Sequence, residues 1–138
     1  MSETQYLIGL DKLCSTVLDL DKNIQSVAVI SKNGKAVEKK SKEGAAFQIP
    51  QERAEMLFMQ RALEISMGRD FDDEYGPINY TYAGRENLSM YTFPVNEWIL
   101  FVTSKDGISP ISLANQIMIS INSYRKSIKM QNPPLSKR

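Results

Sequence analysis

Side chains that do chemistry are scarce in this 138-residue chain. It has no histidine and one cysteine, Cys14. Without histidine, the usual serine and cysteine hydrolase arrangements lose their general base, and the commonest metal ligand is missing. One thiol cannot close an internal disulfide or build a thiolate zinc site. No GxxxxGK[ST] phosphate loop occurs, and no GxGxxG follows a strand-like run. Carboxylate or lysine chemistry is all that stays open. The expectation is a protein that is not an enzyme and carries no cofactor.

Three clusters remain as candidates. Asp70, Asp72, Asp73 and Glu74 are the one dense group of carboxylates. Their spacing lacks the glycine and the distant glutamate of a calcium loop, so a solvated helix-to-strand connection is expected, with a cation site as the alternative. Lys32, Lys35, Lys39, Lys40 and Lys42 form a basic group interrupted by Glu38 and Glu43. No aromatics are interleaved for base stacking. A lysine-bearing edge strand that resists aggregation is expected, with contact to an acidic partner as the alternative. Tyr80, Tyr82, Tyr91, Phe93 and Trp98 are expected as cross-strand core pairs, or else as the wall of a ligand pocket.

The elements that would position these residues follow from periodicity. Leu7, Leu10, Cys14, Val17 and Leu18 recur at helical spacing within a first helix from about Thr4 to Leu20. Cys14 falls in its apolar stripe, where a cysteine acts as a small hydrophobe. IQSVAVIS, from Ile24 to Ser31, is apolar on both alternating faces and predicts a strand buried on two sides. Asn33-Gly34 signals a hairpin, since both residues tolerate positive φ. The return strand, Lys35 to about Lys40, is polar, and 41–48 is a loop. Pro50 suits the first residue of a helix to Met67, with Gly68 as its stop. Ala54, Leu57, Phe58, Ala62 and Ile65 make one stripe of that helix, while Met56, Met59 and Leu63 carry apolar surface round a second side. RDFDDEYG is acidic and turn-like. Ile78, Tyr80 and Tyr82 then alternate along a strand, Leu88 to Phe93 makes the next, Pro94 to Glu97 turns, and WILFVT from Trp98 is a second two-sided strand. Ser109 and Pro110 open the last helix, whose stripe holds Ile111, Ala114, Ile117, Met118, Ile121, Tyr124 and Ile128. Residues 1–130 read as one domain and 131–138, with Pro133-Pro134, as a disordered tail.

Bulk composition agrees with a globular domain: 42% hydrophobic, 24% charged, net charge +1. That charge gives no global pull towards nucleic acid or anionic membrane. MSETQYLIGLDK has no basic region followed by an apolar run, and no stretch approaches the roughly 20 apolar residues of a membrane span. A cytoplasmic location is expected.

The order helix, strand, strand, helix, three strands, helix resembles the Roadblock/dynein-light-chain family within the wider profilin-like group. The likeness is carried by IQSVAVISKNGKAVEKK, the helix from Pro50 to Gly68, the meander INYTYAGRENLSMYTFPVNEWILFVTS and the helix from Pro110. The resemblance implies an α+β fold, α-β-β-α-β-β-β-α, with a five-stranded antiparallel sheet of order 2-1-5-4-3. Two helices would cover one face and one helix the other. It implies a non-catalytic module that dimerises through third strands laid edge to edge with the middle helices beside them. Here that would use Met56, Met59, Leu63, Ile78, Tyr80 and Tyr82. It further implies a protein partner, a small GTPase or a multiprotein complex. The alternative is a small-ligand sensor of profilin-like or PAS-like type. The acidic RDFDDEYG connection and the Pro-Pro tail have no counterpart in that pattern.

Overall fold

The computed structural model describes residues 3–42, 49–105 and 109–131. Helix α1 (Glu3–Leu18) leads into strands β1 (Ile24–Ile30) and β2 (Ala36–Ser41). Helix α2 (Gln51–Gly68) follows, then a 3-10 turn (Arg69–Phe71) and a one-turn helix α3 (Asp72–Tyr75). Strands β3 (Thr81–Gly84), β4 (Ser89–Val95) and β5 (Trp98–Ser104) form a meander, and helix α4 (Pro110–Gln131) ends the described chain. The expected tail beyond it, and most of the 41–48 loop, lie outside the described residues.

The five strands form one antiparallel sheet of order β2-β1-β5-β4-β3. The two runs that are apolar on both faces, β1 and β5, therefore sit side by side near the centre. Val27 and Val29 of β1 point to the face covered by α1 and α4, where they meet Leu10, Cys14 and Val17 of α1 and Ala114, Ile117 and Ile121 of α4. Ala28 and Ile30 point the other way, to Ala54, Phe58, Ala62 and Ile65 of α2. Alternation along a strand demands this division, and it explains why neither run shows a polar side.

The buried hydroxyls inside the sheet are not all satisfied alike. Ser26 Oγ and Thr103 Oγ1 lie 2.5 Å apart between β1 and β5. Thr92 Oγ1, on β4, is buried with no hydrogen-bond partner among the described residues. Stranding a buried hydroxyl costs more than replacing it with a methyl group. Thr103→Val, which orphans Ser26, is expected to lower the unfolding free energy by about 1–2 kcal/mol, whereas Thr92→Val should raise it by up to about 1 kcal/mol. Urea denaturation of the two variants checks the opposite signs.

Four local expectations are corrected. The β1–β2 turn needs positive φ at Gly34 (+84°) but not at Asn33. The Gly34 N–H donates to the Ser31 carbonyl at 2.9 Å and the Ser31 N–H to the Lys35 carbonyl at 2.8 Å. This is a three-residue connection with a bulge glycine, and the register shifts beside it, between Val29 and Ile30. Pro50 is the N-cap of α2, and Gln51 is the first helical residue. Pro94 lies within β4 rather than in a turn. β3 pairs only as far as Thr92, so Pro94 sits on an open edge where its missing N–H costs no ladder bond. There the Arg125 guanidinium of α4 donates to the Pro94 carbonyl at 3.1 Å.

The fourth correction concerns Gly68 and the acidic connection. Gly68 has right-handed helical φ, −64°, and does not stop the helix. The helical path runs on through the 3-10 turn and α3, and the left-handed stop comes at Gly76, φ +81°. A Cβ at Gly68 would meet Ile78 Cδ1, the tip of a side chain that packs beneath it.

Candidate interaction surface

Helix α2 sets the geometry. Its buried positions, 54, 58, 62 and 65, fix which side faces the sheet. Leu57 and Arg61 lie on one flank with Glu64, the flank nearest β3. Arg61 Nη1 pairs with Glu64 Oε1 at 3.0 Å, and Thr81 Oγ1 of β3 donates to the same oxygen at 3.5 Å. The opposite flank lies over the β1–β2 hairpin, where the Met59 backbone closes on Gly34. Met56, Leu63 and Met67 point away from the sheet, 51%, 58% and 61% exposed.

The six residues expected at a dimer interface are therefore distributed over several places. Met56 and Leu63 share the outer face of α2, and Met59 borders it above the hairpin. Ile78 tucks beneath Gly68 and packs on the α2 side of the sheet. Tyr80 and Tyr82 lie on the opposite side. Tyr80 packs on Phe93 at 5.7 Å between ring centroids, and Tyr82 on Tyr91 at 5.1 Å, with its hydroxyl 3.1 Å from Ser89 Oγ. Ile78 and Tyr80 also precede the ladder, since β3 begins at Thr81. The structure joins Met56, Met59 and Leu63, and joins Tyr80 and Tyr82, but does not bring the two groups onto one face.

The remaining clusters resolve into structural roles and open surface. Tyr91 and Phe93 are fully buried, stacked at 6.4 Å between centroids, and Trp98 is half-buried against the same core. In the basic group, Lys40 pairs with Asp11 of α1 at 2.9 Å, a contact that raises the lysine pKa, and Lys42 Nζ donates to the Asp21 carbonyl at 2.8 Å. Lys32, Lys35 and Lys39 are exposed. Burial pushes the Cys14 thiol up to about 12, with Glu38 and Asp11 adding to the effect. A thiol held neutral inside a core is a poor nucleophile. Among the described residues, no three ligand-type side chains converge as a metal site would require, and no helix is long and apolar enough to cross a membrane.

Sequence periodicity missed Met67, Phe71 and Tyr75. All are exposed, and they continue from Leu63 at four-residue steps. The spacing was in the sequence, but its meaning depended on the helical path continuing past Gly68.

No family model and no curated protein sequence matches the chain. Solved structures do. Myxococcus xanthus MglB superposes with a TM-score of 0.70 at 14% identity, covering 95% of each chain. A Roadblock/LC7 domain from Streptomyces avermitilis gives 0.66 at 13% identity, over 86% of this chain and 96% of that one. The fold is that of Roadblock/LC7 domains. A further Roadblock-fold structure, MglB in a tetrameric arrangement, gives 0.65 at 12% identity, over 88% of this chain and 87% of its own. The sheet order and the placement of two helices on one face and one on the other match what the family resemblance implied.

Proposed function

We propose that this Roadblock-fold chain is a non-catalytic interaction module that pairs with a second copy of itself through β3 and serves a protein partner. The observation that carries the reading is the open outer edge of β3, beside which Tyr82 is 43% exposed. An edge strand with unpaired backbone groups and an aromatic side chain invites another strand. A second β3, antiparallel across a two-fold axis, would continue the sheet and satisfy those groups. The two α2 helices would then meet along the flanks that carry Leu57, Arg61 and Glu64. An arginine and a glutamate on one flank are complementary to themselves under two-fold symmetry. The tetrameric arrangement of MglB is self-association in a protein of the same fold. A small GTPase or a multiprotein complex is the partner class that the family resemblance implies, and a cytoplasmic location suits an unpaired thiol.

Light scattering tests the pairing. The wild-type chain at high micromolar concentration is expected to show twice the chain mass. Tyr82→Lys, which places like charges at the shared edge, should return it to the chain mass with its circular dichroism unchanged. A wild-type monomer at that concentration would sink the proposal.

A further inference from the structure

Pairing through β3 leaves the outer face of α2 uncovered. That face does not end with the helix. Met56, Met59, Leu63 and Met67 lead on to Phe71 and Tyr75, the last 86% exposed, along a path of roughly 30 Å. Scattered exposed apolar residues need no explanation, but four at helical spacing on one face of α2, with two more in the turns just beyond it, do. Methionines give such a surface shape that adapts to different apolar partners.

The charge around the stripe selects the occupant. Residues 51–75 hold seven carboxylates against three arginines, while the rest of the chain holds fourteen cations against nine carboxylates. Glu55 lies at one end of the stripe, and Asp70, Asp73 and Glu74 at the other, all exposed. Anionic lipid, nucleic acid and acidic protein would all meet like charge here. A cation-bearing partner would be drawn to it. Met56, Met59, Leu63 and Met67 recur at helical steps over about three turns of α2, which matches a helix laid alongside it rather than a strand.

We propose that the outer face of α2 and α3 docks a basic amphipathic helix of a partner protein. The apolar side of that helix lies on Met56, Leu63 and Met67, with Phe71 and Tyr75 at one end. Its lysines or arginines reach the carboxylates that flank the stripe. This surface is separate from the β3 edge and does not depend on self-pairing.

The test uses the full chain and two labelled synthetic peptides that read as amphipathic helices, one of leucine and lysine, the other of leucine and glutamate. Fluorescence anisotropy is expected to show micromolar binding of the lysine peptide, with the glutamate peptide at least about tenfold weaker. Leu63→Asn changes no charge and sits on an exposed position, so the fold is retained; it should weaken the lysine peptide about tenfold. Tyr82→Lys should leave that binding unchanged even where it abolishes self-pairing. Equal binding of the two peptides overturns the proposal, as does unchanged binding to Leu63→Asn, which would mean charge attraction alone. Absence of binding by the wild-type chain overturns it too. So does loss of self-association in Leu63→Asn without peptide binding, which would assign the face to a second copy.

Discussion

Gly34→Ala is expected to lower the unfolding free energy by about 2–5 kcal/mol, a large loss for one added methyl group. Two separate costs fall on the same atom. Gly34 has φ +84°, where an L side chain is strained by about 1–2 kcal/mol. Its missing Cβ also faces the backbone of α2, where it would lie 2.7 Å from Met59 Cα and 2.9 Å from Met59 N. Those atoms belong to a helix and cannot swing aside as a side chain tip can. The hairpin and α2 would have to part, and overpacking of this kind costs about 1–3 kcal/mol. Urea denaturation measures the sum. Asn33→Ala, one residue earlier and exposed, is the control and should cost under about 1 kcal/mol. A loss at Gly34→Ala no larger than the control's would mean that α2 does not rest on the hairpin. Because Met59 borders the proposed docking face, displacement of α2 should also weaken peptide binding there.

The same contact shows what sequence could and could not supply. Asn33-Gly34 marks a turn in any protein, but nothing local says that a helix residue twenty-five positions later will press against it. The inner strands were legible because IQSVAVI and WILFVT are apolar on both alternating faces, whereas the full sheet order was implied only by the family resemblance. The polar, lysine-bearing β2 declared itself an edge for the opposite reason. Gly68 misled because glycine has two uses, left-handed φ and close approach, and a sequence does not distinguish them. Here Gly68 keeps a right-handed helical φ, so the helical path continues past it to Tyr75. Ile78, Tyr80 and Tyr82 misled differently. Period-two alternation holds a side only inside a ladder, and β3 starts at Thr81. In the unpaired stretch before it the chain is free to turn, and Ile78 crosses to the face opposite Tyr80. Each miss lies at a boundary set by packing between elements, whereas the elements themselves were set by local pattern.

Alkaline pH should destabilise the wild-type chain far more than Cys14→Ala. The Cys14 thiol is fully buried, and desolvation, with Glu38 and Asp11 nearby, raises its pKa from 9.0 to about 12. The fold therefore favours the neutral thiol, while the unfolded chain gives up the proton first. The thiol's stabilisation is complete below pH 9 and drains away as pH rises towards 12. At about 1.4 kcal/mol per pH unit, the loss reaches about 2–3 kcal/mol by pH 11. Cys14→Ala leaves a small cavity among Leu10, Val17 and their neighbours, so at pH 7 it should be the less stable chain by about 1–2 kcal/mol. Between pH 9 and 11 the order should reverse. Tyr91, whose pKa burial also raises, and Lys40, raised by its bond to Asp11, are present in both chains and largely cancel from the difference. Urea denaturation of both chains from pH 7 to 11 gives the comparison. Parallel stability curves would show that the thiol is not sealed in the core, and a thiol reagent would then label Cys14 in the folded protein as readily as in urea. The expected result is slow labelling of the native chain, because the folded state holds Cys14 buried and protonated.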